Sequence, residues 1–200
     1  MDILLLVDCQ YDFMEGGKLP VNGATAKMDA LAEYVRRNGR KYDRIVFTLD
    51  YHPFRHCSFK ESVGEWPTHC LAYSKGAAIY EPLLNAVEES GVPVKFIQKG
   101  VAPFIENYSV FGMTEAQNYF ADLCCYRENA RIVVAGIALD YCVKETLKDG
   151  ITLFPASNWE LLYEYCPCIG GLDAAAKMLS ETMALASKAM CDFKLSKFGE

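Results

Sequence analysis

The chain has 200 residues, of which 52% are hydrophobic and 23% charged, a composition typical of one globular domain with a sizeable core. We therefore predict a single domain over residues 1–200. Its 20 basic and 26 acidic residues give a net charge of -6 without any cluster of lysine and arginine, which argues against nucleic-acid and anionic-membrane partners.

The apolar segment at residues 1–8 (MDILLLVD) is too short to cross a membrane, and it has neither a basic leader nor a cleavage site of small residues. We therefore expect no membrane partner and a cytoplasmic location. The nine cysteines are odd in number and irregularly spaced, which favours reduced thiols over a disulfide framework.

Short apolar runs alternate with helical patterns along the chain. The predicted strands are residues 3–7, 45–49, 94–98, 132–135 and 151–154, and the predicted helices are residues 25–37, 82–89, 114–127, 142–148 and 172–189. The apolar residues at helical spacing in the first helix are Ala26, Met28, Leu31, Ala32 and Val35. This alternation, with strands too apolar to have a solvated face, predicts an α/β fold in which helices cover both faces of a parallel sheet.

Side chains capable of chemistry follow four of the predicted strands. Asp8 follows the first strand, Asp50 the second and Lys99 the third, and the turn after the fourth leads to Cys142. Because the carboxyl ends of parallel strands meet at one edge of a sheet, we expect the four side chains to lie close together. A carboxylate can take the proton of a thiol, and a nearby ammonium would keep both groups ionised, although any one of these residues alone could be a solvated strand cap.

Residues 131–146 (RIVVAGIALDYCVKET) are typical of a buried strand, a tight turn at Gly136 and a helix capped by Asp140. Cys142 would then lie in the first turn of the helix, where free backbone N–H groups and the helix dipole favour the thiolate. The alternative is a buried structural cysteine.

The three histidines, His52, His56 and His69, all lie in a long irregular segment at residues 50–80. Such clustering favours a shared task such as metal binding. An extended backbone points the side chains of Asp50 and His52 to the same side, and His69 can complete the site. Two histidines and one carboxylate leave coordination positions open, as a catalytic metal site requires.

Two alternatives stay open for this segment. Cys57 and Cys70 allow a structural zinc site of the His/Cys kind, although their spacing does not fit the usual C-x-x-C pattern. His56 could be either a metal ligand or a group that supports one.

Five motifs occur in order along nearly the whole chain: residues 7–13 (VDCQYDF), 50–53 (DYHP), 66–70 (WPTHC), 99–100 (KG) with 108–111 (YSVF), and 136–143 (GIALDYCV). Together they resemble the isochorismatase-like cysteine hydrolases, and within that family the nicotinamidases most. The resemblance implies a three-layer α/β/α sandwich around a six-stranded parallel sheet.

The resemblance also implies the roles of individual residues. The catalytic triad would be Asp8, Lys99 and Cys142. One divalent metal would be held by Asp50, His52 and His69, with zinc favoured and iron or manganese as alternatives. A cis peptide bond would precede Ala138, the N–H groups of Ala138 and Cys142 would form the oxyanion hole, and Phe13 and Trp66 would flank a pyridine ring.

The implied activity is hydrolysis of nicotinamide, a small-molecule amide, to nicotinate and ammonia through a cysteine thioester, a step of NAD salvage. Other reactions of the same fold remain alternatives: an N-carbamoyl or ureide amidase, which Asp50 and His52 argue against, and isochorismate-type hydrolysis, whose branch lacks the cysteine and the metal ligands. A non-catalytic binding protein is a further alternative. The sequence leaves open whether the protein is a homo-oligomer.

The sequence departs from the family pattern at three places. Tyr11 stands where asparagine is usual, and Leu139 stands where threonine is usual. Residues 148–158 (KDGITLFPASN) look like a shortened form of a longer helix and the strand that follows it.

Overall fold

The computed structural model describes residues 1–125 and 130–196. Six parallel strands form one sheet with the order β3-β2-β1-β4-β5-β6. The strands are β1 (Asp2–Val7), β2 (Arg44–Asp50), β3 (Val94–Lys99), β4 (Arg131–Gly136), β5 (Asn158–Leu161) and β6 (Phe193–Leu195). The α-helices of the described residues are α1 (Ala24–Asn38), α2 (Glu81–Ser90), α3 (Thr114–Cys125), α4 (Lys144–Leu153) and α5 (Gly171–Lys188).

The helices cover both faces of the sheet. Helix α1 packs against α2, α4 packs against α5, and α3 and α4 both contact the short 3-10 turn Val110–Gly112. Crossovers between parallel strands are right-handed, so the reversal of strand order beside β1 puts α1 and α2 on one face and the other three helices on the opposite face. The predicted α/β/α sandwich around a six-stranded parallel sheet is confirmed. None of the helices in the described residues has both the length and the apolar character needed to cross a membrane.

The centre of the sheet explains the apolar runs of the sequence. Strand β1 lies between β2 and β4, and its residues from Ile3 to Val7 are fully buried. In α1, the predicted inward face is confirmed for Met28, Leu31, Ala32 and Val35. Ala26 is exposed, contrary to prediction.

The predicted strand at residues 151–154 is wrong, because residues 151–153 are the last turn of α4. A short apolar, β-branched run fits a strand and a buried helical turn equally well. Ile151 is buried four residues after buried Leu147, on the same face of the helix. Gly150 allows α4 to approach β5 closely, since a Cβ there would lie 2.2 Å from Cη2 of Trp159.

The sequence patterns missed two strands: β5, which begins at residue 158 and pairs with β4, and β6, which pairs with β5. The short strand β6 completes the sheet, so the shortened segment at residues 148–158 removes no strand from the fold. Helix α3 is described to Cys125, and the predicted continuation to residue 127 lies outside the described residues. The prediction of one domain over residues 1–200 stays a prediction.

Close contact between β1 and β4 depends on Gly136. Its φ is +136°, and a Cβ there would lie 2.0 Å from the carbonyl oxygen of Val7, which accepts a hydrogen bond from the N–H of Ile137 at 2.8 Å. We expect Gly136→Ala to lower the free energy of unfolding by about 3 kcal/mol through strain and overlap, measured by urea denaturation.

The matched control is Gly91→Ala at the end of α2. Gly91 also has a positive φ, +68°, but nothing lies within 4 Å of an added Cβ. It should cost only about 1 kcal/mol, the conformational part of the effect. Equal losses in the two variants would show that the contact with β1 is unimportant.

Candidate active site

The candidate site lies where the strand order of the sheet reverses. Strands β1 and β4 are neighbours, but the chain builds the sheet outward from each of them in opposite directions. In open parallel sheets, this switch point leaves a crevice at the carboxyl ends of the strands. Asp8 directly follows β1, and the turn after β4 leads to Cys142, so both side chains reach this crevice.

Lys99 joins the predicted triad residues. It is the last residue of β3, and its long side chain brings the ammonium to the end of β1, fully buried. Lys99 Nζ lies 2.8 Å from Asp8 Oδ2 and 3.5 Å from Cys142 Sγ. It also donates a hydrogen bond to Asp50 Oδ1, and Asp8 Oδ1 accepts one from Thr48 Oγ1 at 2.8 Å. The ammonium therefore lies among two carboxylates and the thiol.

The charges of this cluster are divided unequally. Burial alone would lower the pKa of Lys99 and raise the pKa of Asp50, but the attraction between the two charges outweighs it. The pKa of Lys99 is therefore well above its usual value, and the pKa of Asp50 is well below its usual value. For Asp8, burial and then the charge of Asp50 outweigh Lys99, and the pKa is raised. Asp8 is therefore the carboxylate of the cluster with the greater tendency to accept a proton.

The thiol of Cys142 is buried, and burial raises its pKa well above the usual value; Lys99 lowers it, whereas Asp8 and Asp50 raise it further. Burial therefore opposes the thiolate that the sequence predicts at this position, whereas the ammonium of Lys99 favours it. Cys142 lies in a π-helical turn (Leu139–Val143) that leads into α4. Its proton must pass to a base when the thiol attacks.

Asp140 does not cap the helix that contains Cys142, contrary to prediction. Its carboxylate accepts hydrogen bonds from the N–H groups of Ile169 and Gly170 at 3.0 and 2.8 Å. The N–H of Leu139 donates to the carbonyl of Pro167 at 2.8 Å. These bonds tie the turn of Cys142 to the segment that leads into α5.

The predicted metal ligands come together beside the triad. His52 Nε2 lies 3.6 Å and His69 Nε2 3.8 Å from Asp50 Oδ2, and the three side chains are buried. One donor atom from each residue lies within 4.8 Å of the other two. The site therefore has the nitrogen and oxygen donors that suit a divalent transition metal.

Hydrogen bonds fix both imidazole rings for such a role. His52 Nδ1 lies 3.1 Å from the carbonyl oxygen of Gly100, and His69 Nδ1 lies 2.8 Å from that of Pro67. Since a carbonyl only accepts, each Nδ1 carries a proton, and each Nε2 faces Asp50, where the neutral ring could bind a metal. Gly100 has φ +64°, and a Cβ there would lie 2.4 Å from Cε1 of His52, so this close approach requires glycine.

His56 supports this group without joining it. Its ring stacks on His52 with centroids 4.2 Å apart. Its Nδ1 lies 2.7 Å from Ser58 Oγ and its Nε2 3.1 Å from the carbonyl oxygen of Ile105, so both ring nitrogens are engaged. Among residues 1–125 and 130–196, neither Cys57 nor Cys70 belongs to a group of possible metal ligands. The arrangement therefore disfavours a structural His/Cys site.

A pocket opens over Cys142. Its lining residues are Phe13, Leu19, Asp50, Trp66, His69, Glu106, Tyr108, Ala138, Tyr141, Cys142 and Ile169. The predicted aromatic residues Phe13 and Trp66 are both among them. The Ile137–Ala138 peptide bond is cis, as the resemblance implies.

Two tyrosines of the pocket were not predicted as site residues. Trp66 Nε1 donates a hydrogen bond to the hydroxyl of Tyr108 at 3.0 Å, and the ring of Tyr141 meets Trp66 edge to face with centroids 5.0 Å apart. Both tyrosines lie within the motifs quoted above, but the sequence did not show their contacts with Trp66. The result is an aromatic wall suited to a flat ring.

Gln10 is a third residue that sequence reasoning missed. Its fully buried amide accepts a hydrogen bond from the N–H of Asp50 at 2.8 Å and donates to the carbonyls of Asp50 and Ala77 at 2.7 and 2.9 Å. It thereby connects the end of β1 to the end of β2. Its place in the motif at residues 7–13 was the only sign of this role.

Comparison with known proteins places these features in a family. The family model described as the isochorismatase domain matches residues 2–153. The chain is 30% identical to the nicotinamidase of Escherichia coli, with 75% of this chain and 76% of the relative covered. It is 32% identical to the nicotinamidase/pyrazinamidase of Mycobacterium tuberculosis, with 76% and 79% covered.

A solved structure has the same fold over nearly all of the described residues. The pyrazinamidase of Pyrococcus horikoshii in complex with zinc superposes with a TM-score of 0.79 at 28% identity, covering 98% of this chain and 99% of that one. The similarity therefore extends through β5 and β6, beyond the end of the family match.

Proposed function

Because the chain belongs to the isochorismatase family, we propose that it is a hydrolase that converts nicotinamide to nicotinate and ammonia. The observation that carries this proposal is the buried cluster of Asp8, Lys99 and Cys142, of which Cys142 lines an aromatic pocket. A primary amide is a poor electrophile, so its hydrolysis needs a strong nucleophile, a proton donor for the leaving ammonia and stabilisation of the oxyanion. The cluster and the adjacent turn contain groups for all three.

The reaction would proceed through a thioester. Cys142 Sγ attacks the carbonyl carbon of the amide while Asp8 takes the thiol proton, and the carbonyl oxygen becomes an oxyanion. Asp8 returns the proton to the nitrogen, the C–N bond breaks and ammonia leaves. Water, deprotonated by Asp8, then attacks the thioester, and the thiol leaves with that proton. The positive charge of Lys99 stabilises the anionic forms of both residues throughout.

The N–H groups of Ala138 and Cys142 would donate to the oxyanion. The turn between β4 and α4 holds both residues at the pocket wall, where Ala138 and Cys142 are lining residues. Removal of one such donor typically costs about 10²–10³ in rate, so we expect the geometry of this turn to matter nearly as much as the triad.

Asp50, His52 and His69 would hold one divalent metal, zinc by preference and iron or manganese as alternatives. The donor set and the oriented Nε2 atoms support this assignment. When bound, the metal would supply a coordination position for the ring nitrogen of a pyridine carboxamide. Phe13 and Trp66 would flank the ring and turn its amide toward Cys142.

The substrate assignment is tested by comparing nicotinamide with benzamide, which has the same shape without the ring nitrogen. We expect metal-loaded protein to release ammonia from nicotinamide with a kcat/KM at least about 10²-fold above that for benzamide, because only the pyridine can bind the metal. Removal of the metal by a chelator should reduce the ratio of kcat/KM for nicotinamide to that for benzamide, mainly through a higher KM for nicotinamide. Metal content is measured on the same samples, with His52→Ala as the variant that should lose metal.

Equal kcat/KM values for the two amides would contradict the assignment of nicotinamide as the substrate. Purified protein that contains no divalent metal would contradict the proposed metal site. An N-carbamoyl or ureide substrate in the same assay tests the remaining amidase reactions of the fold. A cytoplasmic location and the lack of nucleic-acid or membrane partners stay predictions from the sequence, which leaves the oligomeric state open.

A further inference from the structure

Glu106 is a charged group of the pocket that the proposed reaction does not use. It lines the pocket together with Asp50 and Cys142 and is half-buried. Its Oε1 accepts a hydrogen bond from the N–H of Asn107 at 2.9 Å. The ion pairs found in the described part of the chain do not include Glu106, so no lysine or arginine there neutralises its carboxylate.

Neighbouring contacts hold Glu106 at this place. The carbonyl of the preceding residue, Ile105, lies 3.1 Å from His56 Nε2. Two residues later, the hydroxyl of Tyr108 accepts the hydrogen bond from Trp66. One backbone contact before Glu106 and one side-chain contact after it thus hold this part of the chain beside the pocket.

The charged residues around the pocket indicate that Glu106 makes its electrostatic potential more negative. The lining residues include the carboxylates of Asp50 and Glu106 and no lysine or arginine. Lys99 lies fully buried beneath them and is already paired with two carboxylates. A metal on the histidine side would reduce the negative potential, but the contribution of Glu106 would keep its sign.

The proposed reaction changes the charge of the ligand, since a neutral amide and water become a carboxylate anion and an ammonium ion. We propose that Glu106 determines the charge selectivity of the pocket, weakening the binding of the anionic product relative to the neutral substrate. Repulsion of this kind shortens the residence of the acid, and product release limits turnover in many enzymes. This inference rests on the proposed function for the identity of the product.

The test measures binding, so that it does not depend on turnover. Dissociation constants of nicotinate and of pyridine-3-methanol, a neutral ring of similar size, are measured by calorimetry with the wild-type protein and with Glu106→Gln, both loaded with the same metal. We expect the substitution to lower the dissociation constant of nicotinate roughly three- to tenfold relative to that of the neutral ligand. This is the effect expected from one partly solvated charge at short range. Raising the ionic strength should strengthen the binding of nicotinate to the wild-type protein and have a smaller effect on its binding to the variant.

The matched control is Glu65→Gln, which removes the same charge from an exposed residue that does not line the pocket. It should leave the ratio of the two dissociation constants unchanged. An unchanged ratio in Glu106→Gln, or an equal change in both variants, overturns the inference. The ammonia-release assay tests the proposed function separately. If the protein binds both ligands but does not hydrolyse nicotinamide, the proposed function is wrong. The binding measurements still decide whether Glu106 controls charge selectivity.

Discussion

Replacing Cys142 with alanine is expected to lower kcat for amide hydrolysis by more than about 10⁴-fold while the protein stays folded. Among the residues that line the pocket, only Cys142 has a thiol that can form the thioester, and its replacement by alanine removes one sulfur atom from the core. Ammonia release under saturating substrate measures the loss, and urea denaturation shows whether the fold is kept.

Cys166→Ala is the matched control, because Cys166 is also a buried free thiol but does not line the pocket. It should keep kcat near the wild-type value. Mass spectrometry of acid-quenched enzyme should detect an acyl adduct that is absent from Cys142→Ala. A folded Cys142→Ala variant with more than about a tenth of the wild-type kcat would rule out covalent catalysis.

Replacing Lys99 with methionine is expected to lower kcat/KM at neutral pH by at least about 10²-fold and to change its pH dependence. Lys99 opposes the effect of burial on both Asp8 and Cys142, so its loss raises the pKa of each further. Asp8 must be ionised to accept the thiol proton. The acid side of the pH–rate profile should therefore move to higher pH, since Asp8 would then become protonated at a higher pH than in the wild type.

Lys95→Met tests whether any lysine of β3 would give the same result. Lys95 lies on the same strand, but it pairs with Glu115 at the surface at 3.0 Å. Its replacement should leave the profile unchanged, since a surface ion pair contributes about 0–1 kcal/mol and lies away from the site. A wild-type profile at nearly wild-type rate for Lys99→Met would show that Lys99 has only a structural role.

Local sequence pattern was sufficient to predict the ionisable groups of the site. Asp8, Asp50 and Lys99 stand at or directly after the ends of predicted strands, and parallel strands bring their carboxyl ends to one edge whatever the details of packing. The spacing of Asp50 and His52 similarly predicted two donors on one side, because an extended backbone alternates its side chains. These inferences needed only local geometry and the order of elements, and all of them hold in the fold.

The tertiary structure alone decided the features that depend on distant neighbours. Residues 151–153 are helical because the segment packs on β5, which local pattern cannot reveal. Burial and two carboxylates raise the pKa of the Cys142 thiol against the effect of Lys99, and the sequence shows the helix turn but not the depth of burial. Gln10 joins β1 to β2 through hydrogen bonds to Asp50, forty residues away in the chain. Such contacts arise only when the chain has closed around them, so burial and long-range hydrogen bonding decided what local pattern left open.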